Sequence, residues 1–343
     1  MLYGSIPGIA KPISRLVQGT VMVSSGRWDE GARLLDAVFE LGCTCFDTAH
    51  AYGSGDNERA VGRWIRERGI RDRVVILGKG AHPYDGRNRV APGDISSDLS
   101  ESLERFGTDH IDLYLLHRDD PEVPVGEIVD ALNEHRAAGR IGAFGGSNWT
   151  HGRIEAANEY ARSRGLTPFA ASSPQFGLAY PCKPVWEGCV TIGGPGNEEA
   201  REWYRTNAPE PSPPAPSPYP GAPGQGEGTR VALLPWSSLG AGIFSGRFSR
   251  DNVHTFTEYL DRVCAECYGH EENFLRLDRA RELAASKGAT PAQIALAWLF
   301  GQGMNVFALV GCSRAAEFAE NAEGFEIGLS AAEMETLEHG GPK

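Results

Sequence analysis

Four side chains able to hold or pass a proton stand at or just past the ends of apolar runs. They are Asp47 in Phe46-Asp47-Thr48, Tyr52 in the stretch that follows, Lys79, and His117 at the end of Leu-Tyr-Leu-Leu-His. A tyrosine hydroxyl with an ordinary pKa of ~10 is a poor acid or base at neutral pH. A buried lysine ammonium beside it favours the phenolate, and an aspartate paired with that lysine keeps it charged and oriented. A nearby histidine can hydrogen-bond a substrate oxygen. Together the four suit adding or removing a proton at a carbonyl or alcohol oxygen. Singly, His117 reads as a satisfied strand-end residue, Lys79 as a surface charge and Asp47 as a turn former; their order over three successive strands is what favours chemistry.

These residues meet only if the runs that carry them lie side by side. Short apolar or β-branched runs at 15–20, 43–48, 74–79, 111–117, 141–147, 169–175, 231–236 and 306–310 alternate with helical stretches at 29–40, 57–68, 95–106, 126–138, 150–164, 197–205, 278–300 and 314–322. Eight strands, each followed by a helix, predict a closed parallel α/β barrel, the (β/α)8 TIM barrel, as a single domain over 1–343. In such a barrel the strand ends bearing Asp47, Lys79 and His117 share one face, and that face holds the chemistry. No Gly-x-Gly-x-x-Gly turn follows the first strand. Gly240-Ala-Gly242 follows a strand, but Gly246 is wrongly spaced for that fingerprint. The segment 207–228 carries eight prolines and is expected as an exposed loop inserted on the opposite, N-terminal face.

Composition narrows the partners. The chain has 343 residues, and 33 basic against 45 acidic side chains give a net charge of −12. Without a basic cluster, neither nucleic acid nor an anionic membrane surface is an expected partner. The most apolar stretch, 294–300, is far shorter than the roughly 20 residues that span a bilayer. The N-terminus shows no secretory pattern, and the seven dispersed cysteines form no disulfide framework, so a reduced, cytoplasmic protein is expected. Cys264-Ala-Glu-Cys267 with His270 is half a zinc site lacking its second ligand pair, so no metal is expected. Cys43 and Cys45 are expected on one face of the second strand, as small core residues.

The set Asp47-Thr-Ala-His-Ala-Tyr52, Lys79, Asp112-Leu-Tyr-Leu-Leu-His117, Gly146-Ser147-Asn148, Gln175, Trp236-Ser237-Ser238-Leu239 and Gly311-Cys-Ser-Arg314 through Asn321 resembles the aldo-keto reductase superfamily. The resemblance runs from about residue 12 to 338. It implies NAD(P)H-dependent reduction of an aldehyde or ketone to an alcohol, with Tyr52 as proton donor, Lys79 and Asp47 tuning it, and His117 orienting the carbonyl. It further implies that Ser147, Asn148 and Gln175 hold the nicotinamide carboxamide and that Trp236 stacks on its ring. Ser237, Leu239 and the 240–246 loop with Gly242 would line the pyrophosphate. Ser313, Arg314 and Glu317 would meet the 2′-phosphate, with Glu320 and Asn321 near the adenine.

The usual family cofactor is NADP(H) in preference to NAD(H). Glu317 stands where many members carry Arg or Gln, and a carboxylate there repels a phosphate. A second function is open from the same resemblance: a nucleotide-binding regulatory subunit that reports redox state to a partner. For the enzyme, the loop residues His82, Tyr84, Arg87, Arg118, Asp119, Asp120, Tyr180 and Trp186 suit a small carbonyl or sugar-like, hydroxylated substrate. No oligomeric state is implied.

Overall fold

A computed structural model describes residues 1–206 and 231–340, so the proline-rich segment 207–228 lies outside the described residues. The chain opens with a hairpin, β1 (Tyr3–Gly4) and β2 (Ile13–Ser14). Eight parallel strands follow: β3 (Leu16–Gly19), β4 (Cys45–Asp47), β5 (Val75–Gly80), β6 (Ile111–Leu116), β7 (Ile141–Ser147), β8 (Ala171–Ser173), β9 (Ala232–Leu233) and β10 (Ala308–Val310). They pair in the order β10-β3-β4-β5-β6-β7-β8-β9. The two outer strands then meet each other, because Leu233 N donates to Asn305 O at 2.9 Å, Phe307 N to Leu233 O at 2.8 Å and Leu309 N to Pro235 O at 3.2 Å. The sheet is thus the expected (β/α)8 barrel, without a free edge.

Strand periodicity divides the apolar residues between two cores. Val17, Cys45, Val75, Leu77, Leu113, Leu115, Ala143, Ala171, Ala232 and Leu234 fill the barrel, and Ile6 and Ile13 of the N-terminal hairpin segment join them. Their neighbours Leu16, Phe46, Ile76, Tyr114 and Phe144 face outward, into a larger core beneath the helices. Successive side chains alternate sides, so the inward phase continues past each apolar run. Cys45 leads to Asp47, Leu77 to Lys79, Leu115 to His117, and Leu234 to Trp236. The two-residue pitch of the strands therefore delivers the polar residues to the inner rim. Cys43 departs from its expectation. It belongs to the outer core and Cys45 to the inner one, because β4 begins only at Cys45 and the turn from the preceding helix still sets the direction of Cys43.

The helices α1 (Trp28–Glu40), α2 (Asp56–Arg68), α3 (Pro92–Phe106), α4 (Val125–Ala137), α5 (His151–Ser163) and α6 (Glu198–Thr206) follow β4's predecessor and its successors in turn. A short α7 (Tyr259–Val263) precedes the one large difference from the sequence reading. The helix expected over 278–300 is two, α8 (Glu271–Lys287) and α9 (Pro291–Phe300). Gly288 ends the first with a left-handed φ of 64°, and Thr290 caps the second, accepting from Gln293 N while Gln293 bonds back, with Pro291 as the first helical residue. Both stop and start signals were present, but an unbroken apolar pattern across them masked the break. After α10 (Ala315–Glu323) a further helix, α11 (Ala331–His339), is opened by a capping box from Ser330 and Glu333. Among the described residues no helix is long and apolar enough to cross a membrane.

Candidate active site

Asp47 ends β4, Lys79 is the penultimate residue of β5 and His117 follows β6, so adjacent strands bring all three to one rim. Tyr52 reaches them from the loop after β4. That loop is tied down at its base: Thr48 N donates to Leu77 O at 2.9 Å, His50 N to Lys79 O at 2.7 Å and Tyr52 N to Ala49 O at 3.0 Å. From α3, Arg105 donates to His50 O and to the buried Glu58 carboxylate, each at 3.1 Å. Sequence reading missed Arg105, which carries no motif and acts only because α3 packs against α2.

The rim is electrostatically graded. The Lys79 ammonium pairs with the Asp47 carboxylate, donates to Thr48 O at 3.0 Å and lies 5.1 Å from the centre of the Tyr52 ring. The Tyr52 and His117 rings meet edge to face at 5.7 Å, and His82 adds a further ring 4.9 Å from His117. Burial disfavours the Lys79 charge, but Asp47 and Tyr52 outweigh it and hold the ammonium above its ordinary pKa. Burial likewise raises the Asp47 carboxyl, against the pull of Lys79.

Tyr52 also moves up. Burial raises its hydroxyl more than Lys79 lowers it, so the ammonium's push toward phenolate, expected from the sequence, is real but is not the net effect. Tyr52 is therefore a proton carrier at neutral pH. His117 is held well below its ordinary value by burial, then by the charges of Lys79 and Arg118, so its ring is neutral. Its Nδ1 is buried without a partner among the described residues, which leaves Nε2 as the nitrogen able to serve the rim.

The residues expected at a nicotinamide carboxamide do gather here, already engaged with one another. Asn148, at a left-handed φ of 58°, donates to His117 O and to Ser147 Oγ, each at 3.2 Å, and accepts from Val190 N at 3.2 Å and from Trp236 Nε1 at 3.1 Å. Ser147 donates to Ser173 O at 3.0 Å, and Gln175 accepts from the Thr191 hydroxyl. The segment 190–192 thus runs along Gln175, Gln175 N donating to Val190 O at 2.8 Å and Ile192 N to Gln175 O at 3.0 Å. Trp236 has Trp186 against it at 5.7 Å, and Trp186 donates to Tyr259 at 2.7 Å.

Beyond Trp236 the backbone turns repeatedly through left-handed conformations, at Ser237, Gly240, Ala241 and Gly242 (φ 51°, 61°, 52° and 98°). The run is tied internally, Gly240 N donating to Ser237 O at 2.8 Å and Gly242 N to Leu239 O at 3.2 Å. Leu239 packs against the core beneath it. Across the rim, at the start of α10, Ser313 and Arg314 both turn to Glu317. Its carboxylate accepts from Ser313 N at 2.9 Å, Ser313 Oγ at 3.2 Å, Arg314 N at 3.3 Å and the Arg314 guanidinium at 2.8 Å. These donors outweigh its partial burial and lower its pKa. Asn321 points inward, donating to Cys312 Sγ at 3.3 Å, while Glu320 is exposed and its carbonyl accepts from Gln293 at 2.9 Å.

Of the expected substrate-loop residues, His82, Arg118 and Trp186 stand at the rim. Arg87 is turned to Asp94 through two bonds of 2.7 Å, Tyr84 is 76% exposed, and Tyr180 packs on Arg276 and His270. Asp119 is paired with Arg153. Cys264 and Cys267 are buried within a turn over Cys264–Tyr268, and His270 bonds to Tyr180 O. No group of three or more His, Cys, Asp or Glu able to hold a metal occurs among the described residues.

The wider comparisons agree with this architecture. The family model "Aldo/keto reductase family" matches residues 15–185 and 227–340. The aldo-keto reductase yakc [NADP(+)] of Schizosaccharomyces pombe is 26% identical over 317 residues, covering 89% of this chain and 80% of that protein. The norsolorinic acid reductase stcV of Emericella nidulans is 27% identical, covering 95% and 78%. Among solved structures, the glycerol dehydrogenase AKR11B4 from Gluconobacter oxydans superposes with a TM-score of 0.75 at 21% identity, over 99% of this chain and 97% of that one. A barrel whose inward phase ends in Asp47, Lys79 and His117, matched by the family model over most of its length, belongs to the aldo/keto reductase family of NAD(P)H-dependent oxidoreductases.

Proposed function

We propose that this enzyme reduces an aldehyde or ketone to an alcohol at the Tyr52–His117 rim. The observation that carries the reading is a tyrosine kept protonated by burial, in contact with a Lys79–Asp47 ion pair and beside a neutral histidine. His117 Nε2 orients the substrate oxygen by a hydrogen bond, and Tyr52 gives that oxygen its proton. Lys79 then stabilises the phenolate left behind, and Asp47 keeps Lys79 charged in a site where burial alone would neutralise it.

A nicotinamide cofactor fits the remaining residues. Ser173 Oγ, on the inward phase of β8 with Ala171, is a buried polar atom without a partner among the described residues. The left-handed turn at 237–242 stands where the resemblance puts the pyrophosphate, Trp236 suits a planar ring, and Ser147, Asn148 and Gln175 suit a carboxamide that exchanges for one of their present bonds. When bound, the reduced nicotinamide supplies the hydride. NADP(H) is the cofactor that the name of yakc supports, with Ser313 and Arg314 as the phosphate donors. Glu317 weakens that binding, because a 2′-phosphate must displace its carboxylate from those same donors.

The test is Tyr52→Phe, which removes the transferable proton and little else. Turnover of a simple aldehyde is expected to fall ~10²–10⁴-fold, with cofactor affinity by fluorescence titration unchanged. Turnover within about threefold of the parent would refute the assignment.

A further inference from the structure

Arg118 is a cation without a counter-ion. It is only 7% exposed, yet among the described residues no carboxylate pairs with it. Its Nε donates to Glu187 O at 3.1 Å and its Nη1 to His117 O at 2.8 Å. A guanidinium has five N–H donors, so these two carbonyls leave three uncommitted, including both on Nη2. Nη2 is not among the buried polar atoms sealed without a partner. The nearby acids are spent elsewhere, Asp119 on Arg153 and Asp47 on Lys79. In a chain of net charge −12, an uncompensated buried arginine is the exception that wants an explanation.

Its position gives one. Arg118 follows the rim histidine, and its charge bears on Tyr52, His117, His82 and Cys189, the groups around the mouth. Two backbone carbonyls from different segments, His117 and Glu187, fix its guanidinium, which is how a binding fork is pre-organised rather than left to swing. The turn at 237–242, proposed above for the pyrophosphate, follows β9, three strands around the barrel from β6, so Arg118 stands apart from it.

We propose that Arg118 receives a carboxylate of the substrate, which makes the substrates oxo acids: aldehydes or ketones carrying a carboxylate a few carbons from the carbonyl. One fixed guanidinium, with no second free cation among the described rim residues, matches a monoanionic carboxylate better than a phosphate dianion, since Lys79 is paired and His117 and His82 are held toward neutrality. The assignment rests on the carbonyl-reduction reading and names its substrate class. It takes the place of the sugar-like expectation, part of which leaned on Tyr84, which is exposed, and on Arg87, which is paired with Asp94.

The experiment compares 4-oxobutanoate with pentanal at saturating cofactor. The wild type is expected to favour 4-oxobutanoate by about tenfold or more in kcat/KM, as a charge-assisted bidentate contact implies. Arg118→Met should bring that ratio close to one, chiefly through KM, and Arg118→Lys should restore only part of it. A ratio unchanged in Arg118→Met, or absent in the wild type, overturns the proposal, because a purely structural arginine would lower both substrates alike. Raising the ionic strength to about 0.5 M should raise KM for 4-oxobutanoate and leave that for pentanal flat; equal responses count against it. If neither aldehyde is reduced, the carbonyl-reduction reading fails, and binding still decides this one. 4-Hydroxybutanoate titrated into the cofactor-loaded protein should quench tryptophan fluorescence saturably in the wild type and not in Arg118→Met, and the same curve for both, or none for either, overturns it.

Discussion

Tyr52 and His117 set the pH behaviour through opposite shifts with one cause, burial that disfavours whichever form is charged. The raised tyrosine keeps its proton up to and beyond its ordinary ~10, and the lowered histidine stays neutral down through 6.5. The reductive kcat/KM is therefore expected to show no inflection from pH 5.5 to 10, near 6.5 or elsewhere, and to fall only above pH 10. A profile measured from pH 5.5 to 10 checks this, and an inflection near 6.5 that vanishes in His117→Gln would contradict it. Glu317 is the other residue whose charge decides an outcome. Glu317→Gln removes the carboxylate that holds Ser313 and Arg314 and should strengthen NADPH binding relative to NADH, read by fluorescence titration at low salt. An unchanged ratio would place Glu317 outside the phosphate subsite. Both residues were legible as candidates, Tyr52 by its company and Glu317 by its departure from the family pattern. The four bonds that Glu317 makes were not, since they depend on how α10 begins.

At the scale of elements, the strands were legible and the helix breaks were less so. Period-two alternation survives in short runs because each strand of a barrel has two distinct apolar environments, one inside the barrel and one under the helices. The α8–α9 junction shows the limit. Gly288, Thr290 and Pro291 are standard end and start signals, yet the helices on both sides are apolar enough to read as one. Thr290→Ala removes the side-chain acceptor of Gln293 N and should cost about 1 kcal/mol, seen as a lower urea midpoint at unchanged slope. No shift in midpoint would mean that packing of α9 alone, nearly all of it buried, holds the turn. The segment 176–195, which follows the sixth strand run, is expected to rim the pocket, and within it Trp186 lies against Trp236. Its second task, bracing Asn148 and Gln175 from Val190 and Thr191, needed the fold to bring it there.

For the whole molecule, the barrel separates the chemistry from everything attached at its other end. α6 ends at Thr206 and β9 begins at Ala232, so the described residues that flank the proline-rich segment lie at the end of a helix and the start of a strand, opposite the rim that carries Tyr52. Replacing 209–226 with a short Gly/Ser linker should leave kcat/KM within about threefold, because loop closure depends only weakly on length. A large catalytic loss with the thermal midpoint preserved would place that segment at the active site instead.

What the sequence by itself determined is what local rules control. Alternation set which residues face inward, the order of runs set the barrel, and together these put Asp47, Lys79 and His117 on one rim, with Tyr52 in the loop beside them. What only the tertiary structure decided is who meets whom across the chain. Asn148 is braced by Trp236, 88 residues away, the loop of Tyr52 is clamped by Arg105, 55 residues from His50, and Arg118 is buried facing no acid. The reason is physical: a side chain's charge state and free donors are set by its neighbours in space, and periodicity reports only neighbours along the strand or helix.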